Sequence, residues 1–323
     1  MYQIMQIEEV RYLIWDECIR LANATIELII PKSFGIRILH FGFVGSHNEF
    51  VVFPHGSDVD HDQWKLYGGH RLWIAPESSE STKPDNDPVQ IKELENGIRV
   101  TQMVDSASDL QKEVEVILHP EKPQVKVTHW IHNHGPSIHI LAPWGITAFV
   151  PGGIGILPLP KPISEHNGFT AHSRIALWPY SDIGDDHFAF DDQFVLLRSP
   201  TEQQQKIGVP CLDGWGAYLH AGHLFIKLFH HYPTADYPDQ GSSAELYCDH
   251  QLIEVESLGP LENIPISSAL EHVETWILND DVTMVEDLTS FRASVYPILQ
   301  LSLRDRFQFE LGAHQTSADR PIW

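Results

Sequence analysis

Residues 140–160 read ILAPWGITAFVPGGIGILPLP, with no charged side chain from end to end. That is about the length a helix needs to cross a bilayer. Yet Pro143, Pro151, Pro158 and Pro160 share the stretch with Gly145, Gly152, Gly153 and Gly155. Interior prolines remove helical hydrogen bonds and clash with the preceding turn, and glycines lose the most backbone entropy on ordering. The stretch is therefore buried strand and loop. A chain whose most apolar segment is a strand points to an all-β fold.

The flanking sequence agrees. β-rich or alternating runs fall at 24–30, 35–44, 97–104, 112–118, 124–132 and 142–151, then at 194–198, 215–219, 224–230, 244–248, 252–258 and 272–278. Asn133-His134-Gly135-Pro136 is turn chemistry between two of them. Helical periodicity is confined to 281–293 and 8–20. Strands at roughly ten-residue spacing imply a large antiparallel β-sandwich with few short helices. No repeat or linker divides the chain, so residues 1–323 are expected to form one domain, with a core over about 20–280 and an irregular tail over about 312–323. Segment 77–88 (ESSESTKPDNDP) reads as a surface loop.

Composition narrows the function. With 323 residues and 42% hydrophobic content, the chain can bury a sizeable core. A formal net charge of −23 repels phosphate backbones and anionic lipid, so neither nucleic acid nor membrane is the expected partner. A neutral small molecule suits that charge better. Cys18, Cys211 and Cys248 are odd in number and far apart, which supports no disulfide framework or zinc ribbon. The N-terminal residues lack a basic region followed by an apolar run, so a cytoplasmic location is expected.

Several motifs fall short. Gly152-Gly153-Ile154-Gly155 precedes no helix that would bind an anion, no GxSxG elbow is present, and Asp85-Asn86-Asp87 lacks the glycine and distal Glu of a calcium loop. Among the 20 histidines the densest group is His129, His132 and His134. On a strand His132 and His134 share one face and His129 takes the other, and no Glu follows at cupin spacing, so no metal ligand is assigned. Two stretches remain. Tyr67-Gly68-Gly69-His70-Arg71-Leu72-Trp73 brings an imidazole, a forked cation and an indole together behind two glycines that allow close backbone approach. In Ile253-Glu254-Val255-Glu256 the two carboxylates project from the same strand face.

The ordered set of 35–45, 67–73, 84–88, 141–153, 252–260 and 271–276 resembles the galactose-mutarotase-like superfamily, and most of all a bacterial branch of it. The resemblance covers roughly 20–280. It implies a β-supersandwich with a pocket for a small-molecule sugar on its concave face. In sugar-active members a Glu takes the anomeric proton and a His protonates the ring oxygen, without a cofactor. It implies Glu256 as base, His70 as acid, Arg37, Arg71, Asp85, Asn86 and Glu254 as substrate-binding groups, and Trp73 and Trp144 as stacking rings. The central element that carries the acid His in working mutarotases reads Ala142-Pro143-Trp144-Gly145 in this chain. The expected function is thus a carbohydrate-binding protein, with aldose 1-epimerase chemistry, a non-catalytic sugar sensor, and a glycosidase or lyase pairing Glu256 with Asp249 or Glu245 as its possible forms.

Overall fold

Residues 140–160 fold as parts of two strands, His139–Phe149 and Ile154–Pro158, joined through a bend containing Gly152 at φ 110°. They belong to a computed structural model that describes residues 5–57, 65–78, 85–161 and 171–313, with side chains to residue 304 in the last helix. The strand periods noted above recur as three antiparallel sheets of four, ten and eight strands. The ten-stranded sheet has Ala269–Asn279 near its middle, between His223–Phe229 and Gln124–Asn133. The eight-stranded sheet runs from Ala176–Leu177 through Gln205–Val209, Ala244–Cys248, Ile253–Leu258, His139–Phe149 and Gly69–Ala75 to Arg37–Ile38, with Glu262–Ile264 pairing off this path with His139–Phe149.

The two large sheets face each other across a largely apolar core. Leu72, Val255 and Leu246 of the eight-stranded sheet meet Trp276, Val127 and Phe225 of the ten-stranded one. Phe41, Phe50, Phe149, Phe225 and Trp276 form an aromatic knot there, with neighbouring ring centres 5.4–5.7 Å apart for Phe50–Phe149, Phe41–Phe225 and Phe225–Trp276. Burying such rings supplies much of the apolar driving force.

Two helix expectations change. Segment 8–20 is a hairpin of Gln6–Tyr12 and Trp15–Ala22, turning at Leu13 with φ 53°, and pairing Tyr12 with Trp15. The C-terminal helix begins later and runs further than 281–293. It opens as Leu288–Ser290, capped by Asp287 whose side chain accepts from the Ser290 N–H at 2.7 Å. A π-helical turn, Phe291–Val295, leads into Tyr296–Ala313. Phe291, Val295 and Leu299 pack on Phe194, Trp215 and Leu228, covering the outer face of the ten-stranded sheet. The expected tail beyond 313 and part of the 77–88 loop lie outside the described residues. Among the described residues no helix is long and apolar enough to cross a membrane.

The glycines before His70 serve the fold. Gly68 and Gly69 adopt φ 76° and 71°, and a Cβ on them would stand 2.1 Å from the Val51 carbonyl oxygen and 2.3 Å from that of Ile38. It is neighbouring backbone that comes close.

Candidate functional site

Register sets the site. In antiparallel pairing, directly opposed residues point to the same side of the sheet. Arg37 opposes Arg71, Arg71 opposes Ile146, Ile146 opposes Glu256, and Glu256 opposes Glu245. They form a line across the face of the eight-stranded sheet that is turned away from the inter-sheet core. Beside it Trp73, Trp144 and Leu258 form a second line. On the other side stand Ala148, Glu254, Tyr247 and Lys206.

Glu256 is fully buried. Its Oε2 accepts from Trp144 Nε1 at 2.7 Å and from Lys206 Nζ at 3.0 Å, while Oε1 has no partner among the described residues. Lys206 Nζ also lies 2.8 Å from Glu245 Oε2. Burial disfavours its ammonium form, but Glu245 and Glu256 outweigh that and hold it well above the usual lysine range. The same ammonium sits 4.7 Å from the ring centres of both Trp144 and Trp178. Burial holds the carboxyl of Glu245 well above its ordinary value.

Glu254, on the rim, is pushed up to about 7 by burial and then by the charge of Glu256. An acid raised from 4.5 to about 7 contributes stability that is full below 4.5 and lost as pH rises through 7. Glu254→Gln is therefore expected to raise the melting temperature at pH 8 and leave it nearly unchanged at pH 4. Thermal unfolding at the two pH values checks this, and an equal effect at both would contradict it.

The expected residues divide. Glu254, Glu256, Arg71, Trp73 and Trp144 share the outer face. His70 does not, because it alternates with Arg71 and so points between the sheets with Leu72 and Ile74. It is 1% exposed, with Nδ1 2.9 Å from Thr147 Oγ1 and Nε2 2.8 Å from His129 Nε2. The backbone of the sheet separates it from Glu256. Both expected stacking rings are already covered: Trp73 by Arg71 at 4.7 Å and Lys112 at 4.4 Å, and Trp144 by Lys206. Trp73 Nε1 is buried with no hydrogen-bond partner among the described residues. Arg37 and Asp85 form an enclosed ion pair at 3.0 Å that plugs the sheet edge, with Asn86 half-buried next in the chain. Asp249 is tied into a turn, its Oδ1 accepting from the Gln251 and Leu252 N–H groups at 2.7 and 3.1 Å. It offers Glu256 no second carboxylate.

Lys206 and Trp178 were not singled out from the sequence. A lone lysine in the otherwise buried Gln205–Val209 strand was the available signal. A cavity of about 610 Å³ opens past the end of Gly69–Ala75, lined by Ala75, Pro76, Met103, Asp105, Lys112 and Ile140. It adjoins the outer face where Lys112 meets Trp73, and burial pushes the Lys112 ammonium down to about 8.

Behind the site, between the sheets, lies a second polar network. Lys227 Nζ donates to Gly145 O at 2.9 Å and Val255 O at 3.0 Å, and lies 3.2 Å from Glu274 Oε1. Ser257 Oγ donates to Glu274 Oε1 at 2.6 Å and Trp276 Nε1 to Oε2 at 2.7 Å. Burial opposes ionisation of Glu274, but Lys227 together with His70, His129 and His272 outweighs it and keeps the carboxyl well below the usual range. Burial lowers His272 to about 3. A Cβ at Gly145 would stand 2.1 Å from Glu274 Oε1, so only glycine fits there. Of the histidine cluster, His129 joins this interior network, while His132 and His134 lie outside it with ring centres 6.2 Å apart.

Solved structures resemble this architecture. A candidate mutarotase from Salmonella typhimurium aligns over 86% of this chain and 94% of its own, at 11% identity and a TM-score of 0.53. A candidate aldose 1-epimerase from Klebsiella pneumoniae aligns over 85% and 83%, at 12% identity and 0.56. A galactose mutarotase-like protein from Lactobacillus casei aligns over 81% and 100%, at 10% identity and 0.53. At these identities the likeness is one of fold, and the fold is galactose-mutarotase-like. No protein-family model and no curated protein matches the sequence.

Proposed function

On the premise of that galactose-mutarotase-like fold, we propose that the chain is a carbohydrate-binding protein that holds a neutral sugar on the outer, concave face of the eight-stranded sheet. The observation that carries this reading is Glu256 Oε1, a carboxylate oxygen buried in the site with no hydrogen-bond partner among the described residues. A buried acceptor left open costs about 1–3 kcal/mol unless something donates to it, and a sugar hydroxyl does so. Lys206 and Arg71 supply donors around it. Trp178 also carries Lys206 at 4.7 Å, but unlike the buried Trp144 it is half-exposed on the rim and so keeps ring surface for the apolar face of a sugar.

Calorimetric titration with a panel of neutral monosaccharides tests the proposal. Saturable binding to at least one is expected, weakened at least about tenfold by Trp178→Ala, which removes rim rather than core. No binding across the panel would overturn it.

A second reading adds turnover of the aldose 1-epimerase type. It is favoured by Glu254 standing two residues from Glu256 on one strand face, about 6.6 Å along the chain. Glu256 would take the anomeric proton and Glu254, protonated below about 7, would serve the ring oxygen in place of an imidazole. Polarimetry on freshly dissolved α-anomers decides this: acceleration that fades above pH 7 supports turnover, and buffer-level rates for every sugar that binds leave a binding protein alone.

A further inference from the structure

Away from the concave face, two imidazoles and a carboxylate converge on one point. His220 ends strand Trp215–His220 and His223 begins His223–Phe229, facing each other across a two-residue turn. Ala221 and Gly222 in that turn have φ 49° and 85°, the left-handed geometry of a tight hairpin. The segment after strand His40–Phe43 packs against this turn and brings His47 and Glu49. Backbone bonds fix Glu49: its N–H donates to Phe41 O at 2.9 Å and its carbonyl accepts from the Val150 N–H at 3.2 Å.

The side chains aim at one another. His223 Nδ1 lies 2.6 Å from Glu49 Oε1, and His47 Nε2 lies 3.4 Å from the same oxygen. The His47 and His223 rings are stacked at 4.6 Å and 9°, and each presents a nitrogen to the same Glu49 oxygen. All three donor atoms fall within 4.8 Å of one another. Ligands about 2.1 Å from a tetrahedral zinc ion are about 3.4 Å apart, so the His47–Glu49 spacing already fits and the His223–Glu49 contact must open by under about 1 Å. His220 stands edge-on to His47 at 5.9 Å, and its Nδ1 is buried with no hydrogen-bond partner among the described residues. His47 is exposed, leaving the convergence point open to solvent.

We propose that His47, Glu49 and His223 form a binding site for a divalent transition-metal ion of the zinc class, with a coordination position open to solvent. Two imidazoles and one carboxylate favour zinc, cobalt or nickel over magnesium or calcium, which prefer oxygen-only sets. The hydroxyl of Ser46, 3.5 Å from His47 Nδ1, is placed to orient the ring from behind.

The interior group of His70, His129 and Glu274 also meets the distance criterion but does not suit a metal. His70 Nε2 and His129 Nε2 are hydrogen-bonded at 2.8 Å, and the Lys227 ammonium already neutralises Glu274. That group has its cation in Lys227, whereas among the described residues no lysine or arginine pairs with Glu49.

The test is titration of the chelator-stripped protein with zinc chloride by calorimetry, and with cobalt(II) followed by visible absorption. One equivalent of zinc is expected, with cobalt d–d bands of a low-coordinate nitrogen–oxygen site. His47→Ala, whose side chain is exposed and removable without loss of core, should weaken binding at least tenfold. Glu49→Gln keeps an acceptor for His223 and should also weaken it. Absence of stoichiometric zinc binding in the parent protein would overturn the proposal. So would undiminished binding in a folded His47→Ala/His223→Ala double variant, since the ion would then sit on other histidines.

Discussion

Lys227→Met is expected to cost about 3–5 kcal/mol of folding stability, the loss typical of removing one partner from a buried ion pair. Glu274 is fully buried and would keep only the Ser257 hydroxyl and the Trp276 N–H. The carbonyls of Gly145 and Val255 would lose their side-chain donor as well. Those carbonyls belong to the strands that carry Trp144, Glu254 and Glu256 on the opposite face, so the ammonium braces the site from behind. Denaturant unfolding measures the loss. Joint replacement, Lys227→Met with Glu274→Leu, should recover most of it, because an apolar pair leaves no stranded charge. A single variant as stable as the parent would show that the pair does not hold the two sheets as described.

Glu256→Gln is expected to weaken sugar binding on the order of tenfold to a hundredfold, the value of a hydrogen bond to a charged acceptor. The amide oxygen can still accept from Trp144 Nε1, and Lys206 retains Glu245, so the fold should survive. Calorimetry with the sugar bound best by the parent gives the ratio. Equal affinity in a folded variant would remove Glu256 from the site.

Much of the fold was legible because strand periodicity is local. The strands Phe194–Arg198 and Ala244–Cys248 match the sequence reading residue for residue. The misread elements have physical causes. In 8–20, a tight turn at Leu13 and Ile14 is built from apolar residues in place of Gly or Asn, and both are exposed. In the last helix Leu299 is buried but Leu301 is 63% exposed, which blurs the helical stripe.

The site was half legible. Glu254 and Glu256 share a face because strand alternation demands it. His70 was misplaced because Gly69–Ala75 is buried on both sides and carries one polar residue on each, His70 and Arg71, so alternation does not mark which face is the core. Lys206 and Lys227 are each the one lysine in a largely apolar strand, which signals a buried ion pair, while Glu274 shares its strand with Glu271 and His272; the partners, distant in sequence, meet only once the register is known. The same holds for His47, Glu49 and His223.

The central claim is that a sugar lies on the concave face with a hydroxyl against Glu256. A crystal structure grown with the best-binding monosaccharide tests it most directly. The account predicts sugar density between Trp178 and Glu256, with a hydroxyl within hydrogen-bond distance of Oε1. Density only elsewhere, including the cavity beside Met103 and Lys112, would contradict it.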